Sequence, residues 1–410
     1  MKKVVLIKKG EAHDKRYALK KGAGSDAVHT VPSYAYAVCV LKTDTNDEGV
    51  GLAFTLGHGN NLVCKAIDYL VPYIEGKEIN ELMKNFGEVY KKMVDDPNLR
   101  WLGPHKGVTH LALAAVVNAC FDLWAKSQDV PLWKLLIDMD SKEIVDLLDF
   151  SYYEDVLTRE EAIQLLDEQR MGKEARESIL KTGYPGYDTS VGWFNYDDET
   201  IKKNVKIAMD NGFTAMKLKV GSADINRDIR RANLIRNEAG DEATIMFDAN
   251  QQWNLPKAIT ICNEIKQLNP YWIEEPTHPD DVYAHVALKD AVAVKLAMGE
   301  HIPNKILFKN FLQSGAMSFN QVDVVRVGGV SEFILISLLS RKYNIPVVPH
   351  VGDMGQIHQH LVLFNHITLG HPVLFLEHIP HLREYFKNPV QIIDGYYQTP
   401  QSPGMSSDLL

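Results

Sequence analysis

Three acidic residues recur at equal intervals in this chain: Asp248, Glu274 and Glu300 lie 26 residues apart. Each follows a short apolar or β-rich run, and one strand, one helix and two loops of a β/α repeat need about this many residues. The spacing predicts three carboxylates at the carboxyl ends of successive barrel strands. Any one of them could instead cap a helix. Three converging carboxylates, however, repel one another unless a cation lies between them. A site made only of oxygen ligands favours Mg²⁺.

Two lysines lie on the preceding predicted strand, in the run TAMKLKVG. Lys217 and Lys219 alternate with apolar residues, so they share one face of the strand. Helices cover the outer face of a barrel, which predicts that the lysines point inward, although a surface strand could carry the same pattern. A lysine beside another cation has a lowered pKa and can act as a base. It could remove the proton next to a substrate carboxylate, while Mg²⁺ and the second lysine neutralise the enediolate.

Three further candidates end later predicted strands. Asp323 lies in FNQVDVVRVGG and His350 in IPVVPHVGD. Neighbouring strand ends allow an Asp–His hydrogen bond, which fixes the imidazole tautomer and raises its basicity. His350 would face Lys219 across the barrel as its acid or base partner, with a structural histidine as the alternative. Glu377, in VLFLEHI, could hydrogen-bond the substrate carboxylate or the enediolate.

Other titratable residues give weaker indications. Glu275, next to Glu274, could orient a lysine or a metal ligand. Histidines crowd the last third of the chain, and we interpret them mainly as structural, with only a weak case for a second metal: His358, His360, His366, His371, His378 and His381. His358 and His360 are two apart on a predicted helix and do not share a face.

The elements that must position these residues are strands alternating with helices from about residue 187. The predicted strands are Tyr187–Val191, Ala215–Val220, Thr244–Asp248, Tyr271–Glu274, Val294–Gly299, Asn320–Val324, Val347–His350 and Val373–Glu377. Helical periodicity fills the intervals, at 197–211, 224–239, 256–268, 280–290, 303–314, 330–343 and 355–366. Eight strands at this spacing favour a closed parallel barrel over a doubly wound sheet.

The first part of the chain has a different pattern. Tyr34–Lys42 and Gly49–Thr55 read as a β-hairpin, and helical spacing follows at 62–74, 79–93 and 108–125. We therefore predict an α+β domain over 1–140 and a barrel domain over 141–382, with a helical connector at 141–186. The tail at 383–410 has little pattern and is expected to pack back on the first domain.

Composition narrows the class of protein. With 410 residues, 45% of them hydrophobic and 24% charged, the chain suits a globular protein with two domains. A net charge of −9 without a basic cluster argues against nucleic-acid binding. We find no apolar run near the ~20 residues that span a bilayer, and Val4–Ile7 reads as a strand rather than a signal peptide. Four scattered cysteines fit a reducing cytoplasm.

At this point the motifs resemble a known family. The runs TAMKLKVG, FDAN, WIEEP and MGE, with Asp323, His350 and Glu377, resemble the mandelate racemase subgroup of the enolase superfamily. The spacings match that subgroup, at 29, 26, 26, 23 and 27 residues from Lys219 through Asp248, Glu274, Glu300 and Asp323 to His350. Enolase-superfamily sites use a Lys or His base with Mg²⁺.

Longer segments are similar to the L-fuconate dehydratases and their relatives, which include fungal L-galactonate dehydratases. They are SDAVHT (25–30), LRWLGPHKGVTHLALAAVVNACFDLWAK (99–126), YPGYDTSVGW (184–193), FDANQQW (247–253), WIEEPTHPDD (272–281) and GYYQTP (395–400). The resemblance covers nearly the whole chain. It adds Asp26, His29 and Trp101 as candidate substrate-binding residues.

The resemblance implies a modified (β/α)₇β TIM-type barrel with an N-terminal α+β capping domain. It implies that the three spaced carboxylates bind Mg²⁺, with Asn250 supporting the site. Lys219 would abstract the proton α to the carboxylate, and His350 with Asp323 would protonate the departing 3-hydroxyl. Lys217 and Glu377 would hold substrate oxygens. The expected reaction converts L-fuconate to 2-keto-3-deoxy-L-fuconate, and the configuration at C2 decides whether Lys219 or His350 is the base.

The sequence departs from those relatives at two places. The N-terminal loop reads DKRYALKKGAGSDA, and this loop covers the site in the superfamily, so the substrate could be L-galactonate or another aldonate or aldarate. After His350 the chain reads VGDMGQ in place of a glycine-rich run, so Asp353 adds a polar group near the site.

Other functions use the same residues differently. An epimerase, racemase or cycloisomerase would share the enolate step without losing water. A Schiff-base aldolase would use Lys217 or Lys219 as nucleophile and need no metal. A non-catalytic barrel would leave the metal triad and the two opposed bases unexplained. We expect a small-molecule acid-sugar substrate, no nucleic-acid or membrane partner, and assembly into a homo-oligomer.

Overall fold

An antiparallel sheet begins the part of the chain that this computed structural model describes, residues 4–410. Its strands are Ile7–Ala18 (β1), Ser33–Thr43 (β2) and Glu48–Thr55 (β3), with β2 in the middle. The predicted hairpin is confirmed as the β2–β3 pair. Residues 14–18, which the sequence assigned to a loop, continue β1 and pair with β2 as far as Ala18 opposite Ser33. The loop over the site is therefore 19–32.

Helices cover this sheet and lead into the barrel. They are Asn60–Leu70 (α1), Ile79–Met83 (α2), Phe86–Val94 (α3), Pro97–Leu102 (α4), Gly107–Ser127 (α5), Leu132–Asp138 (α6), Ser141–Asp146 (α7), Arg159–Glu168 (α8), Lys173–Arg176 (α9) and Ile179–Thr182 (α10). Short 3₁₀ turns occur at Val71–Tyr73 and Arg170–Gly172.

The long helix α5 is the centre of the first domain. It approaches β3 so closely that a Cβ on Gly51 would lie 2.0 Å from the carbonyl oxygen of Ala115. Contrary to the sequence analysis, α5 is long and apolar enough to cross a membrane by length and composition. However, 78% of its most apolar window is buried inside the protein, as expected of a core helix.

A parallel sheet forms the second part. Its strands and helices are Tyr184–Gly192 (β4), Asp198–Asp210 (α11), Ala215–Lys219 (β5), Ile225–Ala239 (α12), Thr244–Asp248 (β6), Leu255–Ile265 (α13), Ile273–Glu274 (β7), Val282–Ala291 (α14), Leu296–Met298 (β8), Lys305–Gln313 (α15), Phe319–Asn320 (β9), Gly329–Lys342 (α16), Gln356–Ile367 (α17) and Leu376–His378 (β10). Strands β4 to β9 pair in chain order, and β10 pairs with β4. The last strand thus lies beside the first, as in a β/α barrel.

The seventh predicted strand, Val347–His350, is not regular. It makes only an isolated bridge between Asn320 and Val347. The reason is visible in the sequence IPVVPH, where Pro346 and Pro349 lack the amide donors that a ladder needs. The sixth strand is also shorter than predicted, because β9 ends at Asn320, so Asp323 lies on a turn beyond the strand.

Side chains inside the barrel form two layers. The lower layer is an apolar cluster made by Tyr187, Ala215, Met246, Trp272, Ala297, Phe319 and Val348. Two residues further along several of these strands come Lys217, Asp248, Glu274 and His350, because alternate strand residues face the same side. The neighbours Met216, Leu218 and Val220 belong to the outer core, which confirms the predicted direction of the two lysines.

The C-terminal tail has two halves. The first forms Ile392–Ile393 (β11) and Tyr396–Tyr397 (β12), after a 3₁₀ turn at Arg383–Tyr385, and β12 pairs antiparallel with β4 of the barrel. The second half packs on the first domain, where the Met405 amide donates to Asp122 at 2.8 Å and the Ser407 hydroxyl to the Val50 carbonyl at 2.7 Å. The tail therefore packs on both domains, and not on the first domain alone.

Three buried histidines should each make an unfavourable contribution to the stability of the fold in mild acid. Burial lowers the pKa of His360 to about 3 and the pKa values of His371 and His378 to about 4. Free histidine has a pKa near 6.5, so below that pH the unfolded chain binds more protons than the folded one. Between pH 7 and pH 5 we expect each of these three histidines to lower the free energy of unfolding by roughly 1–2 kcal/mol.

Urea unfolding at pH 7.5, 6.5, 5.5 and 5.0 measures this loss. Other buried groups act in the opposite direction in this window: the raised pKa values of His301, about 10, and Glu274, about 8, make the folded state bind more protons as the pH falls. The test therefore compares the pH slope of the wild type with that of a variant. The matched control is His371→Gln, which removes one of the three groups and should flatten the slope. The same dependence of the unfolding free energy on pH in His371→Gln and in the wild type would contradict the prediction.

Candidate active site

Three carboxylates converge at the carboxyl ends of the barrel strands. Asp248 ends β6, Glu274 ends β7 and Glu300 follows β8 by two residues. One oxygen from each lies within 4.8 Å of the others, and all three residues are buried. Burial, followed by the charge of Asp248, raises the pKa of Glu274 to about 8. A cation between these groups would relieve that repulsion.

The surrounding oxygens fit a hard cation. Asn250 Oδ1 and Gln321 Oε1 are buried and have no hydrogen-bond partner among the described residues, and Glu300 Oε2 has only an ion-pair contact, with His350 Nε2 at 3.3 Å. Donors hold the other oxygens in place, since Trp272 Nε1 and Gln321 Nε2 donate to Glu274 Oε2 at 3.0 and 2.8 Å. Unpaired buried oxygens beside three carboxylates form an all-oxygen donor set, which suits Mg²⁺.

The two lysines differ in access. Lys217 is fully buried, with Nζ 2.7 Å from Glu274 Oε1, 2.8 Å from Glu377 Oε1 and 3.6 Å from Asp248 Oδ2. Lys219 Nζ is hydrogen-bonded to Asp248 Oδ2 and reaches a cavity above the carboxylates. Of the two lysines, only Lys219 lines this cavity. Lys217 contacts the carboxylates from the interior of the barrel.

The expected fall in the pKa of Lys219 does not occur in this arrangement. Burial and the charge of Lys217 do lower the pKa of Lys219, but the carboxylates around it, Asp248 first and then Glu300 and Asp26, raise it above its usual range. The sequence predicted the neighbouring cation and missed the paired anion. Asp248 is one of the three converging carboxylates, so its charge is shared between Lys219 and the candidate metal site.

His350 and Asp323 form the predicted pair. His350 Nδ1 lies 2.7 Å from Asp323 Oδ2, and Asp323 Oδ1 accepts from the Val325 amide at 2.9 Å. The free nitrogen, Nε2, lies 3.3 Å from Glu300 Oε2 and 3.9 Å from Glu377 Oε2. Burial alone would lower the pKa of His350, but Glu300 and then Glu377 raise it to about 9. The imidazole is thus oriented with Nε2 toward the carboxylates.

Lys219 and His350 line one cavity, together with Glu300 and Glu377. The first domain supplies part of its wall, including the predicted Asp26 and His29. Asp26 accepts from the His29 amide and faces His29 Nδ1 at 3.1 Å, which braces the loop at 19–32. A lysine, an oriented histidine and a carboxylate cluster therefore share one chamber between the two domains.

Two of the candidate site residues do not line this cavity. Trp101 is on α4 with 91% of its surface exposed, and it does not line this cavity. A six-residue surface helix carries it outward, so the structure does not bring it to the site. Asn250 is buried two residues after Asp248, whose Oδ1 accepts from the backbone amide of Asn250 at 2.9 Å, and it does not line this cavity.

Several cavity residues were not found from the sequence. His301, Arg326 and Trp193 line the chamber, as do the apolar side chains of Phe54, Leu56 and Ile379. His301 Nδ1 lies 2.9 Å from Glu275 Oε2, so Glu275 holds this histidine rather than a lysine. The position of His301 directly after Glu300 in the run MGEH was the one available signal.

Family models match most of the chain. Residues 200–409 match "Enolase C-terminal domain-like", and residues 21–136 match "Mandelate racemase / muconate lactonizing enzyme, N-terminal domain". Among curated proteins, Mitochondrial enolase superfamily member 1 of Bos taurus is 43% identical and covers 97% of this chain and 92% of its own. L-galactonate dehydratase of Hypocrea jecorina is 39% identical, over 94% of this chain and 88% of its own length.

Solved structures agree with the observed fold. Human Mitochondrial enolase superfamily member 1 superposes with a TM-score of 0.96 at 40% identity, over 99% of this chain and 95% of that one. L-talarate/galactarate dehydratase from Salmonella typhimurium LT2, liganded with Mg and L-lyxarohydroxamate, gives a TM-score of 0.80 at 24% identity, over 99% and 91%. At that identity the second likeness concerns the fold alone.

Proposed function

Since the chain belongs to the enolase superfamily, with the N-terminal domain of the mandelate racemase and muconate lactonizing enzymes, we propose that it is a Mg²⁺-dependent acid-sugar dehydratase, a hydro-lyase. The observation that carries the proposal is the shared chamber, where Lys219 and the His350–Asp323 pair stand above three converging carboxylates. The name of the Hypocrea relative, an L-galactonate dehydratase, supports the same class of reaction.

The residues divide the chemistry between them. Mg²⁺ held by Asp248, Glu274 and Glu300 would supply positive charge beside the substrate carboxylate, which makes the proton at C2 more acidic. Lys219 Nζ would take that proton in its neutral form, which becomes accessible when the metal shares the negative charge of Asp248, the carboxylate that otherwise keeps the amine protonated. His350 Nε2 gives a proton to the 3-hydroxyl, which leaves as water when the C3–O bond breaks. Asp323 holds Nδ1–H and keeps Nε2 directed at the substrate.

Proton return completes the reaction. Loss of H⁺ from C2 and OH⁻ from C3 leaves an enol, and a proton delivered to C3 converts it to the 2-keto-3-deoxy acid. Lys219 and His350 both line the chamber, so a substrate of the opposite configuration at C2 would exchange their roles as base and acid. Glu377, 2.8 Å from Lys217, is positioned to accept from a substrate hydroxyl.

L-Fuconate is our first choice of substrate. The chamber wall includes Phe54, Leu56 and Ile379, which suit the apolar methyl end of a 6-deoxy acid. The second candidate is L-galactonate or another aldonate or aldarate, favoured by Arg326 in the same wall, because a guanidinium binds hydroxyl or carboxylate oxygens. The cofactor in either case is Mg²⁺.

A substrate screen tests the proposal. The purified protein with Mg²⁺ is incubated with hexonates, 6-deoxyhexonates, pentonates and aldarates, and 2-keto acid formation is measured with and without EDTA. EDTA-sensitive turnover of L-fuconate alone supports both reaction and substrate, whereas turnover of another acid changes only the substrate. Exchange of the C2 proton with solvent but no keto acid would favour an epimerase or cycloisomerase. Activity that survives EDTA and is trapped by borohydride would favour a Schiff-base aldolase.

The setting of the enzyme is also proposed. All four cysteines are free and buried, which is compatible with a reducing compartment, and we propose the cytoplasm. We propose a homo-oligomer with a small-molecule substrate and no nucleic-acid or membrane partner. Size-exclusion chromatography with light scattering measures the assembly.

A further inference from the structure

A second carboxylate–histidine pair lies directly behind the His350–Asp323 pair. Asp353 and His358, at the start of α17, are fully buried, and Asp353 Oδ1 lies 2.6 Å from His358 Nδ1. His358 Nε2 accepts from the Val324 amide at 3.0 Å and lies 3.4 Å from Asp323 Oδ1. The ring therefore spans from the cap of a helix to the turn that carries Asp323.

The partners of His358 fix its tautomer. Asp353 can only accept, so Nδ1 carries the proton, and the Val324 amide can only donate, so Nε2 offers its lone pair. Asp353 is itself held by α17, since its Oδ2 accepts from the Ile357 amide at 2.5 Å. The ring is thus anchored at one end to the helix and at the other to the backbone beside Asp323.

The turn at Asp323 lies outside the strand ladder. β9 ends at Asn320, so no strand ladder holds the turn. Asp323 Oδ2 accepts from the Gly352 amide at 3.0 Å and contacts His350 at 2.7 Å. A shift of the turn would move the Asp323 carboxylate, and with it the direction of His350.

We propose that His358, held by Asp353, is a positioning residue that fixes the Asp323 turn and so aims His350 at the substrate. The contacts of the ring connect α17 to the backbone beside Asp323, so a displaced ring would displace the turn that carries this carboxylate. This inference rests on the proposed function, in which His350 moves a proton.

Two substitutions separate positioning from packing. His358→Gln can keep an acceptor near the position of Nε2 and so keep the Val324 amide paired. His358→Asn can keep a donor near the position of Nδ1 toward Asp353 but leaves the amide unpaired. We expect His358→Asn to lower kcat by about 100-fold with little change in KM, because small misplacements of a reacting group cost this much. His358→Gln should restore most of kcat.

A substrate-free measurement accompanies the kinetics. The proton between His350 and Asp323 should give a downfield NMR resonance, identified by its loss in His350→Asn. It should persist in His358→Gln and shift or broaden in His358→Asn, with all variants checked by thermal unfolding. Equal kcat in the two variants, or a resonance unchanged in His358→Asn, would overturn the inference. If the wild-type protein turns over no acid sugar, the proposed function fails, and the resonance alone still decides the positioning role.

Discussion

Replacing His350 by Asn should lower the kcat of dehydration by about 10³- to 10⁴-fold, near the upper range for one general acid–base group. Asn cannot deliver a proton from the position of Nε2, which lies 3.3 Å from Glu300 Oε2 at the floor of the chamber. Its amide can still donate to Asp323, so the fold should be kept. Steady-state assays and thermal unfolding of both proteins measure the two effects.

The matched control is His13→Asn, which makes the same change on the exposed edge strand β1 and should leave kcat unchanged. Solvent deuterium exchange at C2 then identifies the base. Exchange that persists in His350→Asn but is lost in Lys219→Ala would assign the base to Lys219, and the reverse pattern would assign it to His350. A His350→Asn enzyme with full dehydration activity would rule out the proposed acid role.

Local patterns in the sequence were sufficient to predict which residues form the floor of the site. Lys217 and Lys219 alternate with apolar residues on one strand, and successive residues of a strand face opposite sides. Because the apolar side packs against the helices, the two lysines must face into the barrel. The equal spacing of the acids reflected the β/α repeat itself, so it placed Asp248, Glu274 and Glu300 at one level. These inferences needed no knowledge of loops or of distant contacts.

The Asp323–His350 pair was predicted although the strands that were expected to carry it are incomplete. Two prolines prevent a regular seventh strand, and β9 ends before Asp323. The pair forms because backbone amides in the turns donate hydrogen bonds to the Asp323 carboxylate, including the Gly352 amide at 3.0 Å. Side chain-to-backbone bonds of this kind leave no periodic signal in a sequence.

The walls of the chamber could not be predicted in the same way. Arg326, His301 and Trp193 come from separate loops whose paths depend on tertiary packing. Trp101, chosen from its segment, sits on an exposed helix. The pKa of Lys219 also depends on its contact with Asp248. The distance between these two side chains cannot be obtained from their separation in the sequence. Substrate identity depends mainly on these walls, whereas the class of reaction depends on the residues at the floor of the chamber.

Replacing Glu274 by Gln should weaken Mg²⁺ binding by at least about 100-fold, since loss of even an outer partner of a metal ligand typically costs 10- to 100-fold. Gln keeps the shape of the side chain but removes one of three charges that converge within 4.8 Å. Isothermal titration with MgCl₂ measures the affinity directly. The control Glu264→Gln makes the same change on the exposed face of α13.

Folding should survive this substitution, which makes the affinity change interpretable. Lys217 loses its partner at 2.7 Å but keeps Glu377 at 2.8 Å and Asp248 at 3.6 Å, so no buried charge is left alone. Trp272 Nε1 and Gln321 Nε2 can still donate to the amide oxygen of Gln. A folded variant with wild-type Mg²⁺ affinity would mean that the metal binds elsewhere. A folded variant that loses both affinity and turnover would place the metal at the three carboxylates, directly below Lys219 and His350.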